Sequence, residues 1–212
     1  MTGIREDFLA VGTSAAQLLR EPAVAAAWSK PSALQEFTVS GLAGHLAYQV
    51  LAIPEIVAAP VPTEQVISVL DHYARVEWID ADPQDEISVR IRSGGEQIAA
   101  DGPKALADRL DAALKQLRTD LPAIPDRPVR ISLWGPWSLT LNDMLLTRLM
   151  ELAVHSDDLA VSVALPTPAL PATAVNAVVD LLTRLSVRRH GPTAVLRTLS
   201  RAERAPQTIA AF

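Results

Sequence analysis

One helix-forming segment, residues 140–159 (TLNDMLLTRLMELAVHSDDL), most constrains what this chain can fold into. It predicts a single uninterrupted helix, because Thr140 is a candidate N-cap, Asp143 completes a capping-box-like pair, and no Gly or Pro interrupts it. At about 100° per residue, leucines follow one side of this helix and other apolar residues extend around its back. The helix is therefore expected to be largely buried, with only a narrow polar stripe left over.

The polar stripe consists of five side chains: Thr147, Arg148, Glu151, His155 and Asp158. It either faces water, as on an ordinary amphipathic helix, or points into the protein. Its narrowness favours the inward orientation, in which every group needs a partner, since an unpaired buried polar group costs roughly 1 to 3 kcal/mol. Residues four apart share one helix face, so a divalent metal would satisfy Glu151 and His155 together.

A third candidate ligand, His45, lies on a second predicted helix, residues 39–57, with Thr38 as its N-cap. Small residues surround it, so that a neighbouring helix can approach closely: Gly41, Ala43, Gly44 and Ala47. Alone, such a histidine is either a hydrogen-bonded core residue or a ligand. Helical bundles commonly build metal sites from Glu and His on facing helices, which favours the ligand role here. Two imidazoles and one carboxylate leave a coordination position open, as in catalytic zinc sites.

Two further residues of the stripe are candidates for the catalytic machinery. Arg148 either forms a salt bridge that orients the Glu151 carboxylate, which we favour, or clamps an anionic substrate or a thiol cofactor. Asp158 lies one turn beyond His155 and can accept the imidazole N–H that a metal leaves free, with capping or solvation as the alternative.

For other polar and aromatic residues, the sequence gives weaker evidence of a role at the site. Tyr48 and Gln49, a turn beyond the histidine of the second helix, are candidates for lining the cavity and binding a cofactor. His72 has no partner motif and is predicted to lie at the surface. Trp134 and Trp137 flank a turn before the ligand helix, where they either pack in the core or form an aromatic wall of the pocket.

Two segments, TVSGLAGHLA and TRLMELAVHSDDLA, resemble the metal-binding domain of the mycothiol-dependent maleylpyruvate isomerase family, part of the DinB-like group of helical bundles. The likeness covers about residues 1–165. In that family the metal is held by a histidine of the second helix and by the two ends of a Glu-x-x-x-His turn, which correspond here to His45, Glu151 and His155. The resemblance implies a mainly α fold, a DinB-like four-helix bundle with additional helices, a divalent ion that is usually zinc, and a low-molecular-weight thiol, mycothiol, as cofactor.

One departure from the family concerns the C-terminal part of the chain. The isomerase carries a sterol-carrier-like domain after its bundle, whereas only 47 residues follow Leu165 here. We therefore expect a metal-binding bundle at residues 1–165, followed by a helix and tail at residues 166–212 that pack on it. The resemblance leaves the substrate open, because the residues of the missing domain have no counterpart.

The predicted function is that of a metal-dependent, thiol-dependent transferase or isomerase, in which a zinc-like ion activates a thiolate for attack on a small electrophile. With water in place of the thiol, the same site would make a metal-dependent hydrolase. A bundle that binds a metal or small ligand without catalysis is the third alternative.

Composition limits the partners of this chain. Cys is absent, so any thiol chemistry must use an imported sulfur. The net charge of -5 and the pI near 5.4 argue against nucleic acid as a partner. No window approaches the roughly 18 uninterrupted apolar residues of a membrane span, so we expect a cytoplasmic protein without a membrane partner. The sequence leaves the oligomeric state open, with a homodimer among the alternatives.

Helical patterns dominate the rest of the chain. Helices are predicted at residues 4–20, 39–57, 64–79, 103–117, 141–158 and 172–189, the last ended by His190-Gly191-Pro192. Residues 82–101 are ambiguous between a strand and a helix weakened at Gly94 and Gly95. Residues 129–134 form the better strand candidate, so the fold is expected to contain at most a short strand pair.

Overall fold

The computed structural model describes residues 3–212, without the side chain of Ser132, so residues 1 and 2 of the predicted bundle domain lie outside it. The helices follow in chain order: α1 (Ile4–Leu19), α2 (Pro22–Ala26), α3 (Val39–Leu51), α4 (Ile53–Ala58), α5 (Val69–Tyr73), α6 (Glu86–Ile98), α7 (Pro103–Asp120), α8 (Leu141–Ser162), α9 (Ala172–His190) and α10 (Pro192–Ser200). The strands are β1 (Pro128–Val129) and β2 (Leu139–Thr140), and single 3-10 turns lie at Leu121–Ala123, Ser132–Trp134 and Ala202–Arg204.

Four long helices, α1, α3, α7 and α8, enclose the core. Helix α1 packs against α7 and α8, and α3 packs against the same two helices. Fully buried apolar side chains from all four fill the space between them, including Phe8, Leu46, Leu110 and Leu149. The prediction of a mainly helical DinB-like bundle is confirmed.

Helix α8 begins as its sequence predicts. The Thr140 side chain accepts a hydrogen bond from the backbone N–H of Asp143 at 3.1 Å, which is the expected N-cap. The antiparallel pair β1–β2, with Val129 opposite Leu139, leads directly into this cap. The helix extends to Ser162, four residues beyond the predicted end, because no Gly or Pro stops it earlier.

Helix α6 lies unusually close to α3, and glycines on both helices allow it. A Cβ atom on Gly44 would overlap the carbonyl oxygen of Gly95, and a Cβ on Gly95 would overlap that of Gly41. The ambiguous segment 82–101 is therefore helical, and Gly95 provides the close contact instead of weakening the helix. This close packing also fixes the position of His45, whose backbone lies beside Gly95.

The predicted helix at residues 64–79 is wrong. Only Val69–Tyr73 is helical, capped by the Ser68 side chain, which accepts from the Asp71 N–H at 3.1 Å. The residues before it run extended beside the loop that precedes α8, with the Ile67 N–H donating to the Ser138 carbonyl at 3.0 Å. Tertiary hydrogen bonds thus replace the local helical ones that the apolar spacing had indicated.

Two smaller boundaries also differ from prediction, and a third agrees with it. Of the expected strand 129–134, only Val129 belongs to β1, since a 3-10 turn begins at Ser132. The second predicted helix is interrupted at Ala52, where Pro54 begins the separate helix α4. Gly191, at a positive φ of 81°, ends α9 at the predicted stop.

Helix α9 packs directly on the bundle. Buried apolar residues of α9 contact α8 and α1: Ala174, Val178, Leu181 and Leu185. The C-terminal tail, residues 201–212, returns along α9, where the Ser186 hydroxyl donates to the Ile209 carbonyl at 2.7 Å. At its end, the Phe212 ring lies 5.7 Å from that of Tyr73 and 5.2 Å from that of Trp78.

Within residues 3–212, one segment, Val39–Ala58, is long and apolar enough to span a membrane, with a mean hydropathy of 1.2. Half of that window is buried inside the protein. The apolar composition is that of a core helix, because α3 contacts α1, α6, α7 and α8.

Candidate metal centre

Helices α3 and α8 bring two histidines and a glutamate together. His155 Nε2 lies 3.1 Å from Glu151 Oε2, and His45 Nε2 lies 3.6 Å from the same oxygen. The two imidazole rings meet edge to face, with centroids 4.9 Å apart. One ligand atom from each of the three residues falls within 4.8 Å of the others. Side chains separated by over a hundred positions in sequence thus converge on one point.

The protonation states of the three groups follow from their burial and contacts. Burial by itself would raise the pKa of Glu151, but hydrogen bonds with His155 and His45 hold it well below its ordinary value. Burial opposes protonation of His155, but hydrogen bonds to Asp158 and Glu151 outweigh it and raise its pKa to about 9. Burial lowers the pKa of His45. The carboxylate is therefore ionised, His45 is neutral and His155 is protonated at neutral pH, so a metal that binds His155 has to displace its proton.

Asp158 lies where it can orient His155. Its Oδ2 is 2.9 Å from His155 Nδ1, on the side of the ring opposite Glu151. This contact fixes the ring and leaves Nε2 directed at the cluster, the arrangement that supports metal-bound histidines in general. The neighbouring Asp157 is exposed and instead accepts a hydrogen bond from Thr167.

The salt bridge that we favoured between Arg148 and Glu151 is wrong. The Arg148 side chain instead donates from Nη1 to Gln49 Oε1 at 2.5 Å and from Nε to Thr147 Oγ1 at 3.1 Å. Its guanidinium also lies over the Trp134 ring, 4.9 Å from the centroid. The physical reason is that Gln49 of α3 faces Arg148 across the helix contact and supplies a nearer acceptor.

The two candidate cofactor-binding residues have different positions. Gln49 is buried beside the cluster, where its Nε2 donates to the His45 carbonyl at 2.9 Å and lies 3.4 Å from His45 Nε2. Tyr48 is half-buried one turn along α3 from His45, and the described residues give it no hydrogen bond to the cluster. Gln49 therefore connects His45 to Arg148, a link that sequence spacing alone does not reveal.

The prediction that His72 lies at the surface is wrong. His72 is only 1% exposed, and its Nδ1 accepts a hydrogen bond from the indole N–H of Trp137 at 3.1 Å. Its ring centroid lies 4.4 Å from that of Trp134, which makes an aromatic wall beneath Arg148. Burial, reinforced by the charge of Arg148, lowers the pKa of His72 to about 3. No sequence pattern around His72 indicates this burial, because its partners Trp134 and Trp137 come from another part of the chain.

The donor set fits a divalent ion. In a tetrahedral zinc site with ligand bonds of about 2.0 to 2.1 Å, neighbouring ligand atoms are about 3.4 Å apart. The His155–Glu151 and His45–Glu151 distances of 3.1 and 3.6 Å lie on either side of that value. Because these three residues leave a fourth position free, the geometry suits an open site rather than a closed structural one.

A family model described as the mycothiol maleylpyruvate isomerase N-terminal domain matches residues 8–160. The chain belongs to this family. The match to the mycothiol maleylpyruvate isomerase N-terminal domain runs from α1 almost to the end of α8, and it contains His45, Glu151 and His155. Helices α9 and α10 and the C-terminal tail lie outside the matched residues. No curated protein and no solved structure matches the chain.

Proposed function

We propose that this protein is an enzyme that uses a divalent metal, held by His45, Glu151 and His155, together with a low-molecular-weight thiol of the mycothiol type. The observation that carries the proposal is the convergence of the three ligand atoms within 4.8 Å in a chain that has no cysteine. The proposal is also supported by the family, whose name refers to a mycothiol-dependent isomerase. The reaction is the transfer or isomerisation of a small electrophile, and we take the metal to be zinc.

A zinc ion held by His45, Glu151 and His155 would keep a net charge of about +1 and would lower the pKa of a coordinated thiol into the neutral range. The residues of the chain prepare the site for it. Glu151 remains ionised in the buried cluster because of its contacts with both histidines. Asp158 keeps the His155 ring oriented with Nε2 towards Glu151. Since the protein has no thiol of its own, the sulfur nucleophile has to come from the cofactor.

The position of the cluster also limits access by water. The side chains of Glu151, His155 and His45 are only 12%, 13% and 18% exposed. In such an environment electrostatic interactions are stronger than in water, so a bound thiolate would be held firmly near its target. The proposed chemistry therefore takes place at a partly enclosed site between α3 and α8.

Metal analysis of purified protein is the direct test of the site. We expect about one equivalent of zinc in the wild type and its loss in Glu151→Ala and His155→Ala, because each substitution removes one of the three metal ligands. Asp157→Ala, on the same helix but exposed and outside the cluster, should keep the metal. A wild-type protein without metal after reconstitution with zinc would contradict the proposal.

Turnover assays separate the thiol-dependent reaction from hydrolysis. The zinc-loaded protein is assayed with electrophiles in the presence and absence of mycothiol, and with ester and amide substrates in the absence of thiol. Consumption of the electrophile that requires the thiol supports the proposed function. Thiol-independent ester or amide cleavage lost in His155→Ala would instead identify a metal-dependent hydrolase.

A further inference from the structure

Two apolar surfaces lie uncovered on the part of the protein that the structure describes. One is a groove between α8 and α9, and the other is the outer face of α10. Together they hold five of the ten large apolar side chains that are exposed among residues 3–212: Val161, Val175, Val179, Leu196 and Leu199. Scattered exposed apolar side chains are ordinary, whereas contiguous apolar patches mark binding surfaces.

The first surface, the α8–α9 groove, has a volume of about 510 Å³. Its lining is mainly apolar, with two carboxylates at the α8 edge: Val154, Leu170, Val175, Val179, Asp157 and Asp158. Val161 extends the groove along α8, because residues four and seven positions apart share one helix face. A groove with apolar walls built by two helices accepts the apolar face of a third helix.

The second surface is the outer face of α10. Leu196 and Leu199 are three residues apart, so they are neighbours on the helix surface, and they are 67% and 71% exposed. Arg197 lies between them in sequence. The ion pairs nearest to it along the chain involve Arg184 and Arg204, and within residues 3–212 Arg197 itself has none. Helix α10 thus presents two leucines together with an unpaired positive charge.

The charges of the chain indicate what occupies the groove. Residues 172–212 carry six arginines and two acidic residues, a net charge of +4, whereas residues 1–171 carry 13 basic and 22 acidic residues, a net charge of -9. The carboxylates of Asp157 and Asp158 place negative charge at the groove, and Arg197 places positive charge on α10. Opposite charges steer association and fix the orientation of the partners. Because both complementary surfaces belong to one chain, they favour a second copy of this chain as the occupant.

The positions of the two surfaces suit two-fold symmetry. The groove lies beside the N-terminal half of α9, and α10 follows the C-terminal end of α9. A two-fold axis beside the middle of α9 therefore brings α10 of each protomer to the groove of the other, which makes two equal contacts. We infer that this chain forms a two-fold dimer in which Leu196 and Leu199 of each protomer occupy the α8–α9 groove of its partner. The inference is independent of the proposed function.

The first test is the mass of the full chain, measured by light scattering after size-exclusion chromatography. A load of about 100 μM is well above a Kd of about 1 μM, so even a moderately stable dimer remains associated. We expect about twice the chain mass of 22.7 kDa. Val179→Glu in the groove and Leu199→Glu on α10 should each reduce the mass to that of one chain. Val89→Glu is the matched control, at an exposed position of α6 outside both surfaces, and should remain dimeric.

Cross-linking then tests which surfaces meet. The chain has no cysteine, so with one introduced cysteine per chain every cross-link joins two chains. Val179→Cys and Leu199→Cys are treated with a short bismaleimide, separately and as an equal mixture. We expect cross-linked dimer in the mixture and little in either variant alone, because the groove of one protomer faces α10 of the other. A mixture of Val89→Cys and Leu199→Cys is the control and should not cross-link.

Four outcomes would overturn the inference. The wild type has the mass of one chain, its mass grows with concentration beyond two chains, both glutamate variants remain dimeric, or cross-links form as readily within one variant as in the mixture. If the wild type is a monomer, flotation with vesicles of phosphatidylserine and phosphatidylcholine tests the other occupant of α10. Vesicle binding that Leu199→Glu abolishes would then assign this face to an anionic membrane instead of a second copy.

Discussion

At the scale of single residues, the Glu151 carboxylate is the group on which the buried cluster depends. It contacts both imidazoles, and it remains ionised despite its burial because of those contacts. The spacing of Glu151 and His155 on one helix face was readable from sequence, since an apolar helix with a capped start left few polar positions. The partner of Arg148 was not readable, because Gln49 lies on another helix and only the packing of α3 against α8 brings it near.

Asp158→Asn should weaken metal binding about 10- to 100-fold, the usual effect of losing the partner of a metal-bound histidine. The reason is that Asn cannot accept the His155 N–H with the strength of a carboxylate at 2.9 Å. Competition with a chromophoric chelator measures the zinc affinity. Asp157→Asn is the matched control, because Asp157 contacts Thr167 instead of the cluster. Equal affinities of the two variants would contradict the orienting role of Asp158.

His72 should make stability depend on pH. Its pKa is about 3 in the folded protein and 6.5 in the unfolded chain, so below pH 6.5 the unfolded state binds a proton that the folded state excludes. Stability is therefore lost as the pH falls, by about 1.4 kcal/mol per pH unit between these two values. In His72→Asn this loss should be absent, so urea unfolding of both proteins between pH 7 and pH 4.5 measures it. Parallel stability curves for the two proteins would argue against a buried neutral His72.

At the scale of elements, the contact between α3 and α6 determines where His45 lies. Gly41 and Gly44 on α3 meet Gly95 on α6 at backbone distance, which leaves no room for a side chain. The small residues on α3 were visible in the sequence and indicated a close neighbour. The identity of that neighbour was not, because the segment 82–101 has a pattern that also suits a strand.

Gly95→Ala should destabilise the protein by about 1 to 3 kcal/mol, the typical cost of adding a group to a closely packed contact. The new Cβ would overlap the Gly41 carbonyl, so α6 would have to move away from α3. Gly94→Ala should have the opposite effect and stabilise by up to about 1 kcal/mol, since nothing lies within 4 Å of a Cβ there and Ala is the better helix former. Urea unfolding gives the free energy of unfolding of both variants. A similar change in the two variants would show that the close contact between α3 and α6 does not limit stability.

At the scale of the whole molecule, helix α9 completes the apolar core. Helix α9 covers α8 and α1 with buried apolar side chains, and the C-terminal tail places Phe212 against Tyr73 and Trp78. The predicted domain boundary between residues 165 and 166 stays a prediction. The family match ends before that boundary, at residue 160.

A chain ended after Leu165 should lose cooperative unfolding. It would expose the surface of α8 and α1 that α9 covers, and burying each large apolar side chain contributes about 1.5 to 3 kcal/mol. The loss of several such side chains is comparable with the roughly 5 to 15 kcal/mol that stabilise a typical domain. A chain ended after His190 keeps α9 and is the control. Thermal unfolding followed by circular dichroism compares them, and a sharp transition in the shorter chain would show that residues 3–165 fold alone.

The sequence by itself determined the helical class, the capped helix α8, and the residues of the candidate metal site. These features depend on local spacing, capping chemistry and the shortage of polar positions on an apolar helix. Only the tertiary structure decided that residues 64–68 run extended, that His72 is buried, and that Arg148 pairs with Gln49. Each of these depends on a partner from another part of the chain, whose distance and direction no local pattern contains.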